Sequence, residues 1–130
     1  MKVLLASYLA TIATLAALDA LWLGLIARPF YKARLGPLLL DQPKWAVALF
    51  FYLIHAAGVV VFAAPLADSW LMALVYGAAF GFCVYAAYDI TNLATVRGWP
   101  AAVSVIDLAW GAGSTAVASA AAFAAIRATA

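Results

Sequence analysis

The chain has 130 residues, of which 70% are apolar and 9% charged, and its net charge is +2. No soluble fold covers so much apolar surface with so few polar side chains, so the composition excludes a water-soluble globular domain and reads as a membrane protein. It also argues against nucleic-acid binding: the Lys and Arg are few, and most lie between Arg28 and Lys44, where membrane topology explains them better.

About 20 consecutive apolar residues cross the hydrocarbon core of a bilayer. The first such run is Val3 to Ala27. Its start has the look of a signal peptide, with Lys2 ahead of an apolar stretch. The run continues past Asp19 and Trp22 to Ile26 without a small-residue cleavage site, so a retained first helix is expected. The segment that follows carries Arg28, Lys32, Arg34 and Lys44. Pro29, Pro37 and Pro43 keep it from extending either neighbouring helix, and its Leu35–Asp41 stretch, LGPLLLD, suits the membrane surface. Further spans are expected at Trp45–Leu66, Trp70–Val96 and Ala101–Ile126, joined by short connections. The expected fold is therefore an all-α integral membrane protein, a four-helix transmembrane bundle forming one domain over 1–130. Cys83 lies mid-span with no second cysteine and is expected to be a small buried apolar residue.

Basic residues assign the sides. Arg28, Lys32, Arg34, Lys44 and Arg97 fall in the first and third connections, against Lys2 and Arg127 on the other side, so those connections are expected to be cytoplasmic. Phe30, Tyr31, Trp45 and Trp99 would form an aromatic belt at that interface, with Trp70 at the opposite one.

Within this apolar frame three acids stand out. Asp19 lies eight residues before the end of the first span, Asp89 seven before the end of the third, and Asp107 six after the start of the fourth. At 1.5 Å per residue all three fall in one layer, roughly 9–12 Å below the same membrane boundary. Tyr52 and His55 place the second span's polar groups in or near that layer. An ionised Asp facing lipid costs about 2.5–3.5 kcal/mol, so three would cost on the order of 8–10 kcal/mol. They are expected to face one another, water or a bound species. No Lys or Arg shares their depth, so the layer should hold protons or cations.

Neighbouring residues extend the candidate site. Asp19-Ala-Leu-Trp22 and Asp107-Leu-Ala-Trp110 share the pattern D-x-x-W, which puts an indole about one turn from each acid as a donor or pocket wall. Tyr88 and Asn92 flank Asp89, Asn92 on its own helix face. The candidate ligand-binding set is thus Asp19, Trp22, Tyr52, His55, Tyr88, Asp89, Asn92, Asp107 and Trp110; no residue is assigned a catalytic role, and no cofactor or close-spaced metal-ligand pair is indicated. Gly77 and Gly81 on the third span, and Gly111, Ser114, Ala118 and Ala121 on the fourth, mark faces suited to close helix packing. A short match between DALWLGLIAR and DITNLATVR is what two parallel two-helix repeats would leave.

The D-x-x-W of the first span, YDITNLAT of the third and DLAWG of the fourth together resemble a bacterial family of predicted membrane proteins classed only as a domain of unknown function. The resemblance covers nearly the whole chain, YDITNLAT being its most specific element. It implies a bacterial inner-membrane protein of four helices, with Asp19, Trp22, Tyr88, Asp89, Thr91, Asn92, Thr95, Asp107, Trp110 and Gly111 as signature positions. It implies no reaction, ligand or cofactor.

Three classes of function fit these residues. One is a binding or transport protein for a proton, cation or small polar solute, working as a homodimer because four helices are few for a carrier. Another is an enzyme acting on a lipid or isoprenoid, with Arg28, Lys44 and Arg97 gripping the phosphate of a headgroup. The third is an accessory subunit whose polar layer is structural.

Overall fold

A computed structural model describes residues 1–130. Five α-helices follow one another: α1 (Lys2–Leu21), α2 (Arg28–Leu35), α3 (Trp45–Phe62), α4 (Trp70–Thr95) and α5 (Ala101–Thr129). A π-helical turn, Trp22–Ile26, prolongs α1, and a 3-10 turn, Ala64–Leu66, follows α3. Four segments are long and apolar enough to cross a membrane: Lys2–Ile26, Trp45–Leu66, Trp70–Thr95 and Ala101–Thr129. These are the four expected spans, the last extending three residues beyond the Ile126 expected from sequence.

The surface matches a bilayer environment. Only 25 of 130 residues are buried, and the exterior is studded with large apolar side chains, among them Leu4, Leu9, Leu25, Phe50, Ile54 and Leu71. Cys83 belongs to this exterior and is not buried as expected: it stands two positions past Gly81, on the opposite face of α4 from the packed stripe.

The inside of the bundle is built from small residues at intervals of four. Ser7, Thr11, Leu15 and Asp19 form the buried stripe of α1, and Ala73, Gly77, Gly81 and Asp89 that of α4, with Tyr85 completing the interval. Both stripes pack on α5, which buries Gly111, Ser114, Thr115, Ala118, Ser119 and Ala122 between them. Spacing of this kind lets backbones approach closely where hydrophobic driving force between helices is absent. A Cβ on Gly77 would lie 2.5 Å from Cβ of Ser119 and 2.7 Å from the Thr115 carbonyl oxygen; on Gly81 it would overlap the Gly111 carbonyl and come within 2.5 Å of Thr115 Oγ1. Gly81→Ala is therefore expected to destabilise the bundle by about 1–3 kcal/mol through overpacking. Lower melting temperature in detergent would register it, whereas Gly113→Ala, with nothing within 4 Å of the new methyl, should leave the melt unchanged or raise it.

α3 packs chiefly on α1; it meets α4 through Gly58 and His55 against Phe80, and through the Ala64–Leu66 turn that follows it. There Val59, Ala63, Ala64 and Ala122 form a tight cluster backed by Phe80 and Ile126. The other end of the bundle carries the basic connections. In the first of them α2 precedes the Leu35–Asp41 segment, which itself carries a 3-10 turn at Gly36–Leu38; Pro29 stands in the first turn of α2, where a missing N–H costs nothing. Gly36, at φ +40, ends it. Arg28, Lys32 and Arg34 point outward, while Tyr31 and Leu35 turn inward.

Candidate functional site

At the basic end the stripes of α1 and α4 terminate in their acids, and α5 contributes a third. Successive spans alternate in direction, so α1 and α5 run antiparallel, and the two D-x-x-W motifs meet head to tail. Each indole consequently serves the other helix rather than its own. Trp110 Nε1 of α5 donates to Asp19 Oδ1 at 2.7 Å; Trp22 Nε1 of the α1 extension donates to the Tyr31 hydroxyl at 3.3 Å, which in turn donates to Asp107 Oδ1 on α5. The two indoles stack, centroids 4.5 Å apart and planes within 6°. Tyr52 of α3 adds a hydrogen bond of 2.5 Å to Asp19 Oδ2, so both oxygens of that carboxyl accept a donor.

These groups line an open-sided cavity of about 190 Å³, formed by Asp19, Trp22, Leu23, Tyr31, Tyr52, Tyr85, Asp107 and Trp110. Two carboxyls face five aromatic rings, and no Lys or Arg takes part. Gly111 makes the Tyr85 position possible, because a Cβ there would sit inside the Tyr85 ring.

Asp89 stands immediately behind this cavity. It is completely buried, and no backbone N–H, hydroxyl or indole donates to its oxygens; the polar group beside them is the carboxyl of Asp107. Its backbone carbonyl accepts from Ser104 Oγ at 3.1 Å, and Ser104 accepts from Trp99 Nε1 at 3.0 Å, which ties the α4–α5 connection to the stripe.

Of the nine candidate residues read from the sequence, five line the cavity: Asp19, Trp22, Tyr52, Asp107 and Trp110. Asp89 adjoins it through Asp107. The other three lie elsewhere. Tyr88, one residue before Asp89, is turned about 100° around α4; it is 56% exposed and meets Trp99 edge-on at 5.7 Å. Asn92 is half-buried near the helix end, outside the cavity wall. His55 is buried, with Nε2 3.0 Å from Thr115 Oγ1 and Nδ1 without a partner. It lines a different recess, an apolar groove of about 400 Å³ between α3 and α4 that also touches Phe51, Ile54, Gly58, Phe62 and Phe80. The Tyr85 ring, edge-on at 6.3 Å, and Phe51, packed between His55 and Tyr52, link His55 to the carboxyl cavity. No three His, Cys or Asp side chains come together as metal ligands.

Two wall residues were missed by sequence reasoning. Tyr85 is four residues before Asp89 and shares its helix face, a signal present in the periodicity. Tyr31, expected in an interfacial belt, is folded into the bundle by α2, and nothing in its local sequence marks this. Burial, and next the hydrogen bond to Asp107, push the Tyr31 phenol above the ordinary tyrosine value of 10.0. A raised value means that the folded protein holds this proton more tightly than the unfolded chain. The resulting stabilisation is complete below about pH 10 and fades as pH climbs beyond it. Tyr31→Phe should therefore flatten the alkaline loss of stability seen in melts of the wild type, and should loosen α2, read as faster amide exchange over 28–35.

A multi-pass membrane protein with a carboxyl-lined, aromatic-walled cavity among its helices is the class that this fold and site define. The chain belongs to the family described as predicted membrane protein (DUF2177), whose function is unknown and whose model matches residues 4–124. No curated protein and no solved structure matches it.

Proposed function

We propose that the protein binds a cation or small polar solute in the cavity between α1, α3 and α5. One observation carries this reading: Asp19 and Asp107 line the same small cavity, walled by aromatic rings and free of Lys and Arg. Carboxyls so placed have no basic partner to neutralise them, and aromatic faces attract cations through their quadrupole. Asp19, with a donor on each oxygen, is hydrogen-bonded as an anion would be. Trp22 and Trp110 set the wall, Tyr52 and Tyr31 orient the carboxyls, and Asp89 backs Asp107. The excess of basic residues on the first and third connections supports a bacterial inner-membrane setting with those connections cytoplasmic. Moving the cation across the membrane, rather than only holding it, would call for two copies of so small a bundle.

The test is isothermal titration calorimetry of the purified protein in detergent with tetramethylammonium chloride. Saturable binding at one site per chain supports the reading. Heats that never saturate for tetramethylammonium, methylammonium or sodium contradict it.

The apolar α3–α4 groove favours a second reading, an enzyme or binder acting on a lipid or isoprenoid whose tail lies between those helices. Photo-crosslinking of a diazirine-bearing isoprenyl phosphate to Phe51, Ile54 or Phe80 would favour it, and labelling spread evenly over the exterior would remove it.

A further inference from the structure

The arrangement around Asp89 goes further than a cation site, although it rests on that reading. Asp89 is fully enclosed, and apart from the neighbouring carboxyl of Asp107 no group offers its oxygens a hydrogen bond. A carboxylate in that condition would have exchanged its hydration for nothing, an expensive state in a low-dielectric interior. Its neighbour across the α4–α5 seam is another carboxyl, Asp107, which lies one turn of α5 beyond the Ser104 whose hydroxyl donates to the Asp89 backbone carbonyl at 3.1 Å. The remaining titratable groups near the pair are Tyr31 from α2 and Tyr85 from α4 itself, with Tyr88 turned outward; α1 supplies Asp19 and α3 Tyr52 across the cavity, and no element supplies Lys or Arg. Two adjacent carboxyls with no positive charge nearby cannot both ionise cheaply.

The cavity wall says what can replace that proton. A hard metal ion wants six or more oxygen ligands. Here Trp22, Trp110 and Leu23 make much of the surface apolar, which suits a cation that carries its own carbon atoms. At about 190 Å³ the cavity is smaller than the 300–1,000 Å³ usual for drug-sized ligands, so the cationic group it takes in has only a few heavy atoms.

The geometry points to a small organic ammonium ion that enters the cavity in exchange for the proton shared by Asp89 and Asp107. One positive charge arrives at Asp107 and one leaves as H⁺ to water, so the charge inside the bundle is the same before and after. Asp89 is the proton's buried holder and Asp107 the group that meets both proton and cation.

Calorimetric titration of the full-length protein in phosphate and in HEPES, whose heats of ionisation differ and neither of which supplies a free ammonium ion, counts the protons released. With methylammonium or tetramethylammonium as the probe, we expect about one proton released per cation bound. Affinity should rise close to tenfold for each pH unit while the pair holds its proton, since proton and cation compete. In Asp89→Asn the cation should still bind, with no proton released and with affinity flat in pH. Wild-type binding without proton release overturns the exchange and leaves the cation reading standing. Sodium binding as tightly as either ammonium overturns the choice of an organic ion. Absence of binding by all three overturns both. The wild-type arms decide the matter even if the variant does not fold.

Discussion

Asp19→Asn is expected to weaken tetramethylammonium binding by at least about tenfold, or roughly 1.4 kcal/mol, while leaving the four-helix fold in place. Two unit charges 4 Å apart interact by about 4 kcal/mol at an effective dielectric near 20, and part of that is lost when the carboxylate becomes an amide. The fold survives because an amide can satisfy the same neighbours. Its oxygen accepts from Trp110 Nε1, and its NH₂ donates to the Tyr52 hydroxyl oxygen, which accepts no hydrogen bond in the wild type. Calorimetry of the variant checks the affinity, and circular dichroism with a thermal melt checks the fold. Unchanged affinity in a folded Asp19→Asn protein would take the carboxyl out of the binding site.

Asp89→Asn carries the other large expected effect, on stability. The wild-type residue is a buried acid whose oxygens are offered a hydrogen bond by no group apart from a second acid, Asp107. An asparagine has the same shape, cannot ionise, and can donate from its amide to Asp107. Removing a buried, uncompensated ionisable group of this kind is neutral or stabilising. The melting temperature should equal or exceed that of the wild type, and the pH response should disappear. A purely structural layer predicts the reverse: the lost acid proton would break a helix-pinning hydrogen bond, the melt would fall, and cation binding would be untouched. Measuring both quantities on this one variant separates the two accounts.

What the sequence revealed and concealed follows from how each feature is encoded. The four spans were legible because uninterrupted apolar length is a local property, and the helix starts at Trp45, Trp70 and Ala101 fell where expected. The common depth of Asp19, Asp89 and Asp107 was legible because a helix converts residue number into distance. Rotation about the helix axis was read less well. Asn92 at i+3 and Tyr88 at i−1 were grouped with Asp89 on account of their hydrogen-bonding capacity, whereas the helix face belongs to Tyr85 at i−4. The D-x-x-W motifs were visible as a spacing, but their meaning depends on the antiparallel contact of α1 with α5, which places Trp110 on Asp19 and links Trp22 to Asp107 through Tyr31. Tyr31 shows the limit most clearly. It reaches Asp107, seventy-six positions along the chain, because α2 folds back under the bundle, and that is a tertiary event with no local trace.

The most direct test of a cation site is to see the cation. Tetramethylarsonium has the shape and charge of tetramethylammonium and carries an arsenic atom with a measurable anomalous signal. Crystals of the protein grown with it should show a single anomalous peak inside the cavity bounded by Asp19, Asp107, Trp22 and Trp110. An ordered cavity with no peak there at saturating concentration, or a peak only on the outer surface, would contradict the account.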